Sequence, residues 1–461
     1  MLQDLLKEQK TLFAPGVHTE LRGQNNRNRR VILLSGDVVA NVRSDVSGVS
    51  ARVYRNGVWG FSSMAEYTKE AAATVLKAAT ENAEFMDRHA GNGKPAFPPL
   101  AGGEPYEMEA FNDPAQKVYV EFAREIDAYV AAHCPGLTSR KVIATEDSME
   151  KLLKVSDGRD AHILSPRSYI YVFLSAETPA GAPVDLFKSF GGSGTFDVNF
   201  TDPSALQEEI DRLYEQLMQK REGVYADAGE KIVILGGMMT GMLSHEAVGH
   251  TVEADLVLGG SVAAHNLKKR VASEKVTLTD FAHDAFGKAC PLPVFVDDEG
   301  TEAKDVTLIK DGILTGYMNS RESAQHFGME PGGNARAWMF SDEPLIRMRN
   351  TAVHPGSDKL ADMIASIDDG YYLIESGNGQ ADTTGEFMFG VTMGYEIRDG
   401  KLGKALLDTT ISGVAFEMLK TVDMVGDEVV WCSSGFCGKK QPMPVGMGGP
   451  ALRCKVKIGG R

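Results

Sequence analysis

Two tight-turn signals within residues 31–62 constrain the fold most strongly. This segment reads VILLSGDVVANVRSDVSGVSARVYRNGVWGFS, and its β-branched alternation is broken at Ser-Gly-Asp and at Arg-Asn-Gly. Runs of alternating β-branched residues that are separated by Gly-containing turns are typical of hairpins. The segment therefore predicts consecutive antiparallel strands in a curled sheet.

Helical and strand patterns then alternate along the N-terminal half. Residues 64–87 carry helix formers at amphipathic spacing, a Gly/Pro-rich break covers 91–105, and a second helix is predicted near 114–132. Further strands are predicted near 139–176, and a charged amphipathic helix is predicted at 204–221. This mixture predicts an α+β domain.

The polar stretch REGVYADAGE, residues 221–230, is the predicted domain boundary, so that the two domains cover 1–224 and 225–461. The strand KIVILGG follows it and begins a region dense in glycine. Short strands alternate with turn residues at 292–318 and 371–411, which predicts a mainly β C-terminal domain with a few inserted helices. The predicted fold class of the whole chain is α+β.

Composition and charge exclude some classes of protein. The 461 residues are 43% hydrophobic and 24% charged, as in ordinary soluble globular proteins. The formal net charge of −15 argues against nucleic acid as a main partner, because backbone phosphates require clustered Lys and Arg. The one basic cluster, Arg22–Arg30, is short and is predicted to be a solvated loop.

The termini and the cysteines predict a cytoplasmic protein without a membrane partner. The N-terminal segment MLQDLLKEQKTLF lacks the basic start and the apolar stretch of a signal peptide. No segment approaches the ~18 apolar residues that a membrane span requires. The five cysteines are few, odd in number and irregularly spaced, unlike a disulfide framework.

The segment SHEAVGH, residues 244–250, contains the residue types of a zinc hydrolase. Such an enzyme needs fixed ligands, an open position for water, and a carboxylate that takes the proton of that water. His245 and His250 are candidate ligands and Glu246 is the candidate carboxylate. The alternative is a helix whose two histidines make ordinary structural contacts.

The five-residue spacing of the two histidines is unusual for a metal site on a helix. In the common HExxH arrangement the second histidine lies only ~40° round the helix, whereas five residues correspond to ~140°. Both imidazoles face one metal only if a π-type bulge widens the turn or the helix ends at the second histidine. Gly249 is the position where this distortion is easiest.

A third protein ligand is also required, because catalytic zinc normally takes three. Glu253 and Asp255 lie within reach in the sequence. Cys437 lies far away, within the glycine-rich segment SSGFCGKKQPMPVGMGG, which predicts an exposed and rigid loop unlike the setting of a structural cysteine. The residues alone leave these candidates open.

Several longer segments resemble the TldD/PmbA family, metallopeptidases also named modulators of DNA gyrase. These segments are VDDEGTEAKDVTLIKDGILTGYM, GGNARAW, RMRNTAVHPG, SGNGQADTTGEFMFGV and CGKKQPMPVGMGGPAL, in the order of the family. Together with SHEAVGH they cover most of residues 225–455, while GVSARVYRNGVWGFSS in the N-terminal half is similar more weakly. The chain resembles the TldD branch, since the PmbA or TldE-like branch lacks the HExxxH residues.

The resemblance implies a zinc peptidase with a defined site. His245, His250 and Cys437 are the implied zinc ligands, and Glu246 is the implied general base. It also implies a dimer, formed with a second copy or with an inactive PmbA/TldE-like paralogue, that encloses a cavity for extended or unfolded peptide substrates. The segment CGKKQ has one residue fewer between cysteine and glutamine than the family pattern, which leaves the role of Gln441 open.

Two other classes of function remain open. A metal-dependent binding protein would capture unfolded peptides without hydrolysis, and it would need His245 and Cys437 but not Glu246. A cysteine enzyme would use Cys437 as its nucleophile and a histidine as the base, and metal chelators would leave its activity intact.

Two further kinds of segment have both functional and structural interpretations. The glycine-rich residues 332–338 and 376–385 either let a substrate backbone approach closely or form tight turns between strands. The acidic triplet Asp297, Asp298 and Glu299 is interpreted as a solvated turn rather than a second metal site.

Overall fold

The computed structural model describes residues 9–91, 93–94, 96–100, 103–108 and 112–459. The start of the chain and parts of the predicted break at 91–105 lie outside the described residues. The described chain combines helices with mainly antiparallel sheets, which confirms the predicted α+β class. Among the helices in these ranges, none has the length and apolar character needed to cross a membrane.

Regular elements cover most of the described residues. The helices are α1 (Lys69–Ala90), α2 (Gln116–His133), α3 (Phe196–Asn199), α4 (Gln207–Arg221), α5 (Gly237–Met242), α6 (Ala254–Leu258), α7 (Arg321–Phe327), α8 (Leu360–Ala365) and α9 (Ala415–Lys420). Short 3₁₀ turns occur at Gln9–Leu12, Pro203–Leu206, His250–Val252 and Val262–His265, and a π-helical turn occurs at Leu243–Gly249.

Within the described residues, strands are more numerous than helices in both halves. The N-terminal strands are β1 (His18–Leu34), β2 (Asp37–Arg55), β3 (Val58–Met64), β4 (Tyr106–Glu107), β5 (Ser139–Val155), β6 (Ala161–Glu177) and β7 (Pro183–Ser193). The next strands are β8 (Gly229–Leu235), β9 (Leu278–Phe281), β10 (Asp284–Ala285), β11 (Lys288–Ala289), β12 (Val306–Lys310), β13 (Ile313–Leu314), β14 (Ala335–Arg336), β15 (Leu345–Ile346) and β16 (Asn350–Val353). The last strands are β17 (Asp369–Ala381), β18 (Glu386–Arg398), β19 (Lys401–Ala405), β20 (Thr409–Val414), β21 (Met424–Val425), β22 (Val430–Cys432), β23 (Phe436–Cys437), β24 (Met443–Pro444), β25 (Gly446–Gly449) and β26 (Leu452–Ile458).

The N-terminal sheet has the strand order β3-β2-β1-β5-β6-β4, and β7 also pairs with β6. The two predicted turns join its first three strands. Ser35 and Gly36 have φ values of 49° and 99°, and Asn56 and Gly57 have φ values of 47° and 92°. Positive φ at both central residues is the geometry of the two-residue turns that close twisted hairpins. These predicted hairpins are therefore confirmed.

The N-terminal helices cover faces of this sheet. Thr68 caps α1 by accepting a hydrogen bond from the backbone N–H of Ala71. The buried residues of α1 recur at spacings of three and four and pack on β2 and β3, where they form an apolar cluster with Leu21 and Val53. The helices α2 and α4 pack with β5, β6 and β7 around a second cluster.

The C-terminal half contains two larger sheets. One has the order β17-β8-β26-β20-β18-β19, and β17 also pairs with β18, so that the sheet closes on itself. The other has the order β13-β12-β9-β16-β25-β22. The predicted boundary at residues 221–230 falls between the end of α4 and the start of β8. The division into 1–224 and 225–461 stays a prediction.

The basic cluster Arg22–Arg30 does not form a solvated loop, so that prediction is wrong. These residues belong to β1, and the Arg29 side chain is buried between Asp45 and Asp113, at 3.1 and 3.0 Å. Arg22 is also buried, and it pairs with Asp298 of the C-terminal half at 3.3 Å. The alternation of polar residues along β1 places these arginine side chains inside the protein, where acidic residues of other segments pair with them.

The acidic triplet at 297–299 is likewise buried, so its interpretation as a solvated turn is wrong. Asp297 accepts hydrogen bonds from three backbone N–H groups, Asp298 binds Lys151 at 2.6 Å, and Glu299 binds Arg52 at 2.9 Å. Burial of an acidic group costs little only where such partners replace water. The triplet thus joins the C-terminal half to the N-terminal sheet.

Candidate metal centre

The candidate site begins on a helix that packs unusually closely against β25. This helix consists of α5 and the π-helical turn that continues it. At Gly241, an added Cβ atom would meet the backbone nitrogen of Gly448 at 3.0 Å. The glycines of both segments therefore let the helix lie directly on the strand.

The π-helical turn explains how two histidines five residues apart can face the same side of the helix. The backbone N–H of His250 donates to the carbonyl oxygen of His245, five residues earlier. A π-turn contains one more residue than an α-turn, so residues five apart face the same side. The ring centroids of the two histidines lie 5.2 Å apart, with an angle of 74° between the ring planes.

Gly249 is required here for space rather than for unusual backbone angles. Its φ of −53° is helical and open to any residue. A Cβ atom at this position would overlap the sulfur of Met348 and would meet the carbonyl oxygen of Ser244 at 3.0 Å. The predicted importance of Gly249 therefore has a packing cause.

Cys437 lies beside the two histidines. Its Sγ atom is 3.4 Å from Nε2 of His250, and one ligand atom from each of His245, His250 and Cys437 lies within 4.8 Å of the other two. Cys437 is only 1% exposed, in the short β23–β24 ladder, so the prediction of an exposed loop is wrong. The histidine-bearing helix itself covers the thiol.

Arg347 fixes the loop that follows Cys437. Its guanidinium group donates to the carbonyl oxygens of Cys437 at 2.9 Å, Lys439 at 3.0 Å and Gln441 at 2.7 Å. The Gln441 side chain accepts from the backbone N–H of Trp338 at 2.7 Å and donates to a further carbonyl group. Gln441 thus has a structural role in closing this loop.

The N-terminal sheet holds the segment that precedes Cys437. The Tyr169 hydroxyl donates to the carbonyl oxygen of Ser433 at 2.7 Å, and the Tyr171 hydroxyl donates to that of Ser434 at 3.1 Å. Both tyrosines lie on β6. The cysteine is therefore positioned by contacts from both halves of the chain.

Glu253 orients the second histidine. Its Oε2 atom lies 2.8 Å from Nδ1 of His250 and 3.2 Å from Nζ of Lys439, and the residue is fully buried. Asp255 is 41% exposed and binds the same lysine at 2.9 Å. A carboxylate on the second ring nitrogen is the usual partner of a metal-binding histidine. Glu253 and Asp255, the two acidic candidates for ligands in the sequence, therefore support the site from the Nδ1 side of His250.

Glu246 lies at the open side of the histidine pair. Its two carboxylate oxygens are 3.9 Å from Nε2 of His245 and 3.8 Å from Nε2 of His250. The side chain is 24% exposed, whereas that of His245 is 2% exposed. This placement lets Glu246 reach a small molecule that lies between the two rings.

The contact between Cys437 and His250 shifts the pKa of both side chains. Burial alone would raise the pKa of the Cys437 thiol, but the adjacent rings of His245 and His250 lower that pKa to about 3. Burial lowers the pKa of His250, but hydrogen bonds with Cys437 and Glu253 raise it to about 10. The thiolate is the form that binds metal ions, and His250 must lose its proton to join it.

The donor set and its geometry fit zinc. Both ring nitrogens of His245 are buried and have no hydrogen-bond partner among the described residues, which is costly unless another group satisfies one of them. Two ligands at roughly 2.0–2.3 Å from one ion in a tetrahedral site lie ~3.5 Å apart. The 3.4 Å separation of Sγ and Nε2 is close to this value.

Other sequence candidates lie elsewhere in structural roles. Nε2 of His354, for example, lies 2.9 Å from the Thr279 hydroxyl. In the segment 332–338, Asn334 is buried and binds Asp280 at 2.8 Å. The segment 376–385 runs through the bulged pairing of β17 with β18. Sequence reasoning missed the supporting roles of Arg347 and Tyr169, for which the sequence carries no local signal.

Comparison with known protein families decides which family this architecture represents. Residues 19–83 match the model described as PmbA/TldA metallopeptidase domain 1, and residues 228–460 match the PmbA/TldA metallopeptidase C-terminal domain. The chain belongs to the TldD/PmbA metallopeptidase family. The resemblance noted in the sequence is therefore confirmed.

Curated relatives are named as metallopeptidases. A "Metalloprotease" of Methanothermobacter thermautotrophicus is 32% identical over 96% of this chain and 95% of its own length. A "Zinc metalloprotease TldD homolog" of Saccharolobus solfataricus is 34% identical over 58% of each chain. These names support a metallopeptidase family, and the second names zinc for that relative.

Solved structures share the fold at low sequence identity. A Thermotoga maritima protein described as a modulator of a DNA gyrase has a TM-score of 0.74 and 18% identity, with 98% of each chain covered. TldE from Thermococcus kodakarensis has a TM-score of 0.73 and 17% identity, covering 98% of this chain and 100% of its own. At these identities the likeness concerns the fold alone.

Proposed function

We propose that this TldD/PmbA family member is a zinc-dependent peptidase of the HExxxH type, with His245, His250 and Cys437 as zinc ligands. The observation that carries the proposal is the convergence of these three side chains, from segments nearly two hundred residues apart, to within 4.8 Å. The unpartnered ring of His245 and the carboxylate behind His250 support it. Zinc, when bound, supplies a Lewis acid that polarises a carbonyl group and acidifies water.

Glu246 is the proposed general base. Its carboxylate lies within 4 Å of both imidazoles and is partly exposed, so it can accept the proton of an attacking water and return it to the leaving amine. Glu253 holds the ring of His250 so that Nε2 points into the site. Arg347 keeps the backbone of Cys437 in place during turnover.

The proposed substrate is an extended or unfolded peptide. Main-chain hydrogen bonds to an exposed strand edge would bind a peptide of any sequence. The proposed assembly is a dimer, either of two copies or with an inactive PmbA/TldE-like paralogue, in a cytoplasmic location.

Two competing functions make different predictions. A non-hydrolytic peptide-binding protein would need the ligands but not Glu246. A cysteine enzyme would need Cys437 and one histidine, and the contact of Cys437 with His250 is compatible with it. It would leave the buried, unpartnered His245 without a role, which is why we favour the zinc centre.

Glu246→Gln tests the proposal directly. We expect the rate of peptide cleavage to fall by about 10²- to 10⁴-fold, because the general base is lost. Elemental analysis should show zinc retained in Glu246→Gln but lost in His245→Ala and Cys437→Ala. Glu417→Gln is a matched control, since Glu417 is 69% exposed on α9. Peptide cleavage by the Glu246→Gln protein at the wild-type rate would reject a zinc peptidase. Cleavage by the wild-type protein that continues after metal chelation would also reject it.

A further inference from the structure

A cavity of about 460 Å³ lies between the N-terminal sheet and the C-terminal half. Its walls come from β1, β2, β5 and β6 on one side and from segments near residues 292–294, 336–339 and 444 on the other. Ligand pockets are typically roughly 300–1,000 Å³. A cavity of ~150 Å³ already accepts a benzene ring. The space is therefore sufficient for a large side chain and its flanking backbone.

The β23–β24 ladder connects the cavity to the candidate metal centre, although the three candidate ligands do not line the cavity. Pro444 lines the cavity and pairs with Phe436, which directly precedes Cys437. Trp338 and Arg167 also line the cavity, and both contact the Phe436 ring, at 5.5 and 4.0 Å. Phe436 is 47% exposed, which is high for an aromatic residue beside a buried cysteine.

The chemistry of the wall favours an apolar ligand group. Its apolar part includes Met108, Met149, Leu164, Val294, Trp338 and Met339. The cations in the wall already have partners in the protein: Arg27 pairs with Glu150 at 3.6 Å, Arg167 pairs with Asp147 at 3.3 Å, and Arg336 donates to the Met348 carbonyl. The remaining unpartnered N–H groups of Arg167 and Arg336 are buried away from solvent.

We propose that this cavity is a subsite for one apolar side chain of the peptide substrate, aromatic or long aliphatic. The subsite rests on the proposed peptidase function. Paired Cα atoms in an antiparallel ladder lie ~4.5–5.5 Å apart, and consecutive Cα atoms lie ~3.8 Å apart. Pro444 is thus within two such steps of Cys437.

Peptide binding to zinc-loaded Glu246→Gln protein tests the subsite independently of cleavage. The probes are fluorescent Gly/Ser octapeptides that carry a single Phe, placed at each position in turn, together with the matching Leu and Asp peptides. Fluorescence anisotropy should show at least about tenfold tighter binding for Phe or Leu at one position than for Gly or Asp there. Equal affinities at every position would overturn the subsite.

A filled cavity should lose this selectivity. Ser165 is exposed, lines the cavity and pairs with Met149, so Ser165→Trp fills the space without removing a core contact. Ser175→Trp is the matched control, because Ser175 lies on the same strand about 33 Å away. We expect Ser165→Trp to bind Phe and Gly peptides equally while retaining zinc and its circular dichroism spectrum. Retained selectivity in a folded Ser165→Trp protein would overturn the subsite.

Photo-crosslinking gives a second measurement that does not depend on a variant. A benzophenone side chain at the preferred position should attach to residues such as Met149 or Met339. Attachment only outside the cavity would reject the proposal. Selective peptide binding without cleavage by the wild-type protein would reject the peptidase function and leave the subsite intact. Cleavage without side-chain selectivity would reject the subsite and leave the peptidase function intact.

Discussion

Nδ1 of His250 lies 2.8 Å from the buried carboxylate of Glu253, three residues further along the chain. This carboxylate also lies 3.2 Å from Nζ of Lys439, two residues after Cys437. The pair therefore orients one candidate ligand and, through the lysine, ties the helix to the distant cysteine segment. Loss of such a partner typically costs about 10- to 100-fold in metal affinity.

Glu253→Gln should weaken zinc binding by about 10- to 100-fold, because the amide is a poorer acceptor for the His250 N–H. Competition titration with a chromophoric chelator measures the affinity without relying on activity. Asp255→Asn is the control, since Asp255 is partly exposed and touches only the lysine of this network. Equal zinc affinities for both variants would show that the Glu253 contact does not support the centre.

Gly249→Ala should destabilise the protein although alanine is the better helix former by ~1 kcal/mol. The added methyl group overlaps the Met348 sulfur, and overpacking of this kind costs about 1–3 kcal/mol. We expect a lower denaturation midpoint for the single variant. In a cycle with Met348→Ala, the two changes should be non-additive. Strictly additive changes in the free energy of unfolding would exclude the contact with Met348 as the reason for glycine at position 249.

Stability should depend on the protonation of His18. Burial lowers the pKa of its ring, but hydrogen bonds to Asp157 at 2.6 Å and Glu20 at 2.9 Å outweigh burial and the nearby Arg321 and raise it above 6.5. The ring also stacks on Phe97. Because the folded-state pKa is raised, this contribution is complete below the unfolded pKa of ~6.5. It is lost as the pH rises through the folded-state value.

Thermal denaturation between pH 6 and pH 9 checks this dependence. Wild-type protein should lose stability as the pH rises above ~6.5, and His18→Gln should lose less. His89→Gln is the control, because His89 is exposed near the end of α1. Identical pH profiles for wild type and His18→Gln would contradict the prediction.

Local chemistry made part of the fold predictable. The turns at Ser35-Gly36 and Asn56-Gly57 were identifiable because positive φ values restrict the residue types that fit there. The π-helical turn was one of two predicted geometries, because five residues place two imidazoles on one face only if the helix widens or ends at the second histidine. In each case the determining interactions lie within a few residues of one another.

Burial that depends on distant partners was not predictable. Asp298 is buried because Lys151 and Arg22 approach it from strands more than a hundred residues earlier. Cys437 looked exposed because its neighbours are glycines and lysines, whereas the histidine-bearing helix covers it. The support that Arg347 gives to the cysteine loop depends on three backbone carbonyls, which any residue type supplies.

The tyrosine hydroxyls on β6 make the N-terminal sheet a support of the candidate metal centre. Tyr169 holds the carbonyl oxygen of Ser433 across 264 positions of sequence, and Tyr171 holds the next carbonyl along. A C-terminal fragment would keep every candidate ligand and would lose these anchors. Recombination of family members should therefore exchange β6 together with the cysteine segment, since the hydrogen bonds of the two tyrosines hold that segment in place.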